Sequence, residues 1–96
     1  MDSLSESTQI RKSENSLATT IDGEAVILQT AGGGYYGLNE VATFVWEQLE
    51  DGATIDELRG SIISEYEVSV EKCEHDLEQL LLEMADFGII ELEDSG

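Results

Sequence analysis

Cys73 and His75 are the only thiol and the only imidazole in the chain, so they are the first residues to test for nucleophilic or metal chemistry. Two positions apart on a helix, they point to roughly opposite sides and cannot form a thiol–base pair. Cys73 falls on an apolar helical stripe and reads as a core residue; His75 reads as an exposed one. One Cys and one His are too few for a zinc centre without help from carboxylates. The 22 carboxylates raise the question of calcium, yet no stretch alternates Asp or Asn ligands around a central Gly with a closing Glu. Gly32-Gly33-Gly34 lacks the following Lys and Ser/Thr of a phosphate loop and reads as a turn. No set of residues assembles an active site. The expectation is a protein that is not an enzyme and holds neither cofactor nor metal.

The stretch that can do something is Gly34-Tyr35-Tyr36-Gly37-Leu38-Asn39. It reads as a short strand running into a helix. On a strand Tyr36 and Leu38 share one face, while Tyr35 and Gly37 share the other. Tyr36 is expected to face the helices, leaving Tyr35 on the opposite face or near the groove. Asn39 is a good N-cap, because its side-chain oxygen can accept from a free amide of the first helical turn. A strand with unpaired backbone groups is a liability unless it is covered or used. A used edge takes up an extended peptide: backbone hydrogen bonds supply affinity and side-chain pockets supply specificity. An open edge can also pair with a second copy of the chain.

Three strands and three helices must position that edge. Leu17–Ile21 and Glu24–Thr30 flank Asp22-Gly23, the signal of a hairpin. After the glycine turn, the tyrosine strand completes an antiparallel meander, at or near its edge. Leu38, Ala42, Val45, Trp46 and Leu49 form one apolar helical stripe, which Asp51-Gly52 ends. Thr54 with Glu57 makes a capping box for the next helix, whose stripe is Ile55, Leu58, Ile62 and Tyr66. Gly60 either weakens that helix or lets a neighbour approach. Ser69 caps the third helix, with Val70, Cys73, Leu77, Leu80, Leu81 and Met84 as its stripe and Gly88 as its stop. Ile89-Ile90 is expected to pack back on the core. Residues 1–15 are polar and read as a flexible tail; residues 91–96 read as an acidic tail. Asp2-Ser3-Leu4, which matches the attachment tripeptide of acyl carrier proteins, sits in the polar start rather than at the head of a helix and is read as coincidence. The fold class is α+β, a three-stranded antiparallel sheet followed by three helices, like a winged helix-turn-helix.

Composition narrows the partners. At 96 residues the chain makes one small domain with a thin core. Four basic against 22 acidic side chains leave a net charge of −18. Nucleic-acid binding requires Lys and Arg to neutralise phosphates, and this chain has only four of them, so a winged-helix transcription regulator is the less favoured alternative. Basic partners are favoured. A single cysteine permits no internal disulfide and suits a reducing cytosol. No segment resembles a signal peptide, and no apolar run approaches the roughly 20 residues of a membrane helix. The expected location is the cytoplasm.

Taken together, Tyr35-Tyr36-Gly37-Leu38-Asn39, Trp46, Leu49, Asp51-Gly52, Thr54-Ile55, Leu58, Glu65-Tyr66-Glu67-Val68, Asp76-Leu77, Leu80-Leu81 and Gly88-Ile89-Ile90 resemble the PqqD-like proteins. These are the precursor-recognition elements of ribosomally made, modified peptides. The similarity runs from about Leu17 to Ile90, within a domain of residues 16–90. Trp46, the tyrosine pair and Cys73 just before Asp76 are most like the stand-alone lasso-peptide branch. The resemblance implies a non-catalytic protein that binds the leader segment of a precursor as an added antiparallel strand. It delivers that precursor to a leader peptidase or another modifying enzyme. Its alternative setting is a peptide chaperone for quinone-cofactor or other modified-peptide synthesis. Carried onto this chain, the leader pairs with the backbone of Tyr35, Tyr36, Gly37 and Leu38. The groove wall is drawn from Cys73, Asp76, Leu77, Leu80, Leu81 and Met84; which of these face the leader and which face the core is left open. The acidic side chains of the third helix suit a basic leader, and the extreme acidity of this chain departs from the family pattern.

Overall fold

A two-residue turn with positive φ at both Asp22 (53°) and Gly23 (85°) folds the first hairpin, matching the right-handed twist of its strands. It joins β2 (Ser16–Ile21) to β3 (Glu24–Gln29) in a register that pairs Ile21 with Glu24 and Ser16 with Gln29. Beyond the glycine turn, β4 (Tyr35–Gly37) returns antiparallel along β3, so the order of this sheet is β2-β3-β4. Ala25 and Ile27 project from β3 into the core. The computed structural model describes residues 7–93; the Asp2-Ser3-Leu4 tripeptide lies outside them.

The helices follow from their caps and stripes. Asn39 caps α1 (Glu40–Glu47) by accepting from the Ala42 amide. Ala42, Val45, Trp46 and the following Leu49 are buried. Thr43 ties this helix to the hairpin: its hydroxyl accepts from the Ala25 amide at 3.0 Å and donates to the Leu38 carbonyl at 3.3 Å. Thr54 and Glu57 form the full capping box of α2 (Ile55–Glu65). Ser69 caps α3 (Val70–Phe87). Gly88 ends α3 at φ 92°, a left-handed conformation that calls for glycine. Ile89 and Ile90 then turn back into the core. Gly60 is exposed and a Cβ on it would meet nothing within 4 Å; it does not serve a close approach.

The ends of the chain depart from expectation. The segment read as a flexible tail contains β1 (Gln9–Lys12), and the acidic end contains β6 (Ile90–Glu93). With the short β5 (Ala53–Thr54) they make a second antiparallel sheet in which β1 is central. Ile10 is 0% exposed, and the Ser13 amide donates to the Ile89 carbonyl. The strand escapes pattern reading because a single inward apolar residue cannot display a period of two. Charge supplies what pattern does not. Arg11 stands opposite Glu91 and reaches Glu93 at 3.1 Å, while Lys12 pairs with Glu50 and sits 4.8 Å from the centre of the Trp46 ring. Cross-strand charge pairs of this kind add only tenths of a kcal/mol; the buried Ile10 carries the anchoring.

Candidate functional site

In an antiparallel pair the groups facing the partner strand alternate along the chain. The Gln29 amide donates to the Gly34 carbonyl and the Leu38 amide to the Ala25 carbonyl, at 2.9 and 2.8 Å. With Tyr36 opposite Ile27, residues Gly34, Tyr36 and Leu38 turn their backbone groups toward β3. Tyr35 and Gly37 therefore point N–H and C=O away from the sheet. Among the described residues no strand pairs with that side of β4.

Side chains divide by the same alternation. Tyr35 is 73% exposed. Tyr36 turns inward and joins β4 to α3: its ring lies 5.3 Å from that of Phe87, and its hydroxyl donates to Glu83 Oε1 at 3.1 Å. Burial, then the Glu83 carboxylate that accepts its proton, pushes the Tyr36 phenol up, so it stays a neutral donor. Leu38 is buried. Beyond Leu38 the chain enters α1, and there a pocket of about 230 Å³ opens between the helices. Val41 and Val45 of α1, Ile62 of α2, and Tyr66 and Val68 of the following connection form one side. Cys73, Leu77 and Leu80 of α3 form the other, with Lys72 and Asp76 among the lining residues, paired to each other at 3.1 Å. Helix α3 thus flanks both features, with Phe87 and Glu83 against β4 and Leu80 to Cys73 against the pocket.

The six helix positions named from the sequence separate here. Cys73, Asp76, Leu77 and Leu80 line the pocket. Leu81 and Met84 are 0% exposed, lie in the core and are not among the residues lining the pocket. Val41, Val45, Ile62, Tyr66, Val68 and Lys72 were missed as pocket residues. One signal existed: Val41 is apolar but off the core stripe of its helix, and 40% of it remains exposed.

Cys73 sits where a thiolate is disfavoured. It is buried and its Sγ lies 4.0 Å from the Arg59 carbonyl oxygen. Burial pushes its thiol up, against a smaller lowering by Arg59. Because the folded-state value is raised, its contribution to stability is full below the unfolded thiol value near about 8.5 and is lost as pH rises further. Native protein at neutral pH is expected to react with iodoacetamide far more slowly than urea-unfolded protein, measured by mass spectrometry; equal rates would contradict the burial. His75 is exposed. Among the described residues no group of three or more His, Cys, Asp or Glu could hold a metal, and no helix is long and apolar enough to cross a membrane.

Comparison with known proteins gives a family and two similar solved structures. The family model for coenzyme PQQ synthesis protein D (PqqD) matches residues 24–90. The solved structure of TbiB1 in complex with the TbiA(beta) leader peptide is similar at 32% identity and a TM-score of 0.79, over 84% of this chain and 94% of that one. Lasso peptide synthetase B1 complexed with the leader peptide is similar at 26% identity and a TM-score of 0.76, over 85% and 96%. No curated protein matches the sequence.

Proposed function

This chain belongs to the family of coenzyme PQQ synthesis protein D, and from that premise we propose that it is a non-catalytic recognition protein for the leader of a ribosomally made precursor peptide, in the lasso branch. The single observation that carries the reading is the free edge of β4, held by Tyr36 against α3, the helix that also lines an apolar pocket. The leader adds as an antiparallel strand, exchanging backbone hydrogen bonds with Tyr35 and Gly37. Its inward side chains then reach the pocket lined by Leu77 and Leu80. At about 230 Å³ that pocket is smaller than the roughly 300–1,000 Å³ typical of small-molecule sites, which suits one or two peptide side chains rather than a cofactor. Both solved relatives named above carry leader peptides, and one of them is a lasso peptide synthetase B1, which supports the lasso assignment over a quinone-cofactor pathway. The protein holds the leader for a modifying enzyme, a leader peptidase in the lasso setting. Glu74, Asp76 and Glu83 on the exposed side of α3 draw basic leaders in, raising the association rate more than the affinity.

Titration calorimetry with the synthetic leader of the pathway's precursor tests this. Saturable one-to-one binding is expected, and no heat at millimolar peptide would refute it. Leu80→Asp places a charge in the apolar wall at a half-buried position. It should weaken leader binding by about tenfold or more with little change in melting temperature. Unchanged affinity would remove the pocket from the site.

A further inference from the structure

The outer face of the β2-β3-β4 sheet carries an exposed apolar patch. Residues directly opposite one another in an antiparallel sheet share a face, and the register places Leu17, Leu28 and Tyr35 in one row and Val26 beside the bare Gly37 in the next. Ile21 follows at the turn. Leu17 is 62% exposed, Ile21 59% and Tyr35 73%. The outer strand is equally unguarded: Ser16–Ile21 contains no charged residue in a chain that is 27% charged, and five of its six residues are exposed. Free edges are ordinarily blunted with charge, proline or bulges, and contiguous exposed apolar patches mark interaction sites.

Charge selects the occupant. Asp22 and Glu24 border the patch at its turn end, and the chain as a whole carries −18. All four basic side chains are already paired with carboxylates: Arg11 with Glu93, Lys12 with Glu50, Arg59 with Asp56 and Glu74, and Lys72 with Asp76. A second copy would bring acid to acid with no uncommitted cation between them. The complement is a different protein, with an apolar centre and a rim of Lys and Arg. Tyr35 lies on this face and on the very strand whose edge takes the leader, so a protein seated here also meets the outward side chains of the bound leader. We infer that this outer face docks the leader-processing enzyme through an apolar, basic-rimmed surface. This inference rests on the leader-binding reading above.

The test uses the full chain, the synthetic leader and the purified leader peptidase of the same pathway. The double variant Leu17→Lys/Ile21→Lys alters only exposed positions on β2, two strands from the leader edge; Leu17→Ser/Ile21→Ser removes the apolar area without adding charge. Circular dichroism checks that both fold. Expected results are unchanged leader affinity for both variants, peptidase binding weakened by about tenfold or more for the lysine pair, and a smaller loss for the serine pair. Peptidase binding unaffected by the lysine pair, with the leader still bound, would overturn the docking face alone. A wild-type dimer in sedimentation that the lysine pair dissociates would assign the face to a second copy instead. Failure of the wild-type chain to bind the leader would remove both readings together.

Discussion

Gly37→Pro is expected to abolish leader binding while leaving the domain folded. The Gly37 amide points to the free side of β4, because the hydrogen bonds at Gly34 and Leu38 place the inward groups on the alternate residues. Proline removes no hydrogen bond of the isolated protein there. A Cβ at this position would meet nothing within 4 Å, and the preceding Tyr36 is in a strand, the conformation that a following proline favours. In the complex the change deletes a donor, worth about 0.5–1.5 kcal/mol net, and the ring blocks the approach of the guest strand. The combined effect should exceed a hundredfold in Kd, or about 2.7 kcal/mol, by titration calorimetry. Gly37→Ala keeps the amide and should bind as the parent does. Parent-like affinity in the proline variant would eliminate strand addition at this edge. Loss in both variants would point to a steric effect of any side chain.

The second large effect concerns the N-terminal segment. Ile10→Ala should cost about 2–5 kcal/mol, the range for a fully buried aliphatic cut to a methyl group. Against a total stability of roughly 5–15 kcal/mol for a domain, that is a fall in Tm of roughly 8 °C or more, read by thermal denaturation. Deleting residues 1–12 goes further. It strips β5 and β6 of the strand between them and uncovers Ala53 and Ile90, both buried. The truncated chain is expected to be unfolded or molten at room temperature, seen as collapsed dispersion in its amide NMR spectrum. A well-dispersed spectrum with unchanged Tm would mean that β1 contributes nothing to the core.

Residues 9–12 also mark where sequence reading stops. Asp22-Gly23, Asn39, the Thr54–Glu57 box, Ser69 and Gly88 each act within three or four neighbours, so their roles were legible without coordinates. So were the helical stripes, whose buried members Trp46, Leu58, Leu77 and Leu81 recur at the period of a helix turn. The tyrosine pair was legible in outline too: alternation allowed only one of the two to face the helices, and Tyr36 is the one that does. These signals are local, and local chemistry was enough to indicate the three strands and the three helices; the family rested on the resemblance of the ordered set of motifs.

What only the tertiary structure decided depends on partners distant in sequence. Whether the Gly37 amide faces β3 or solvent is settled by register, which is a property of two strands and not of one. Leu77, Leu81 and Met84 share a stripe and all are buried in the core, yet only Leu77 also borders the pocket, because that depends on which neighbouring elements pack beside each turn of α3. β1 exists because Ile10 finds Ala53 and Leu92, 43 and 82 residues further along the chain. A lone apolar residue in a polar segment carries no information about such partners until the chain has folded around it.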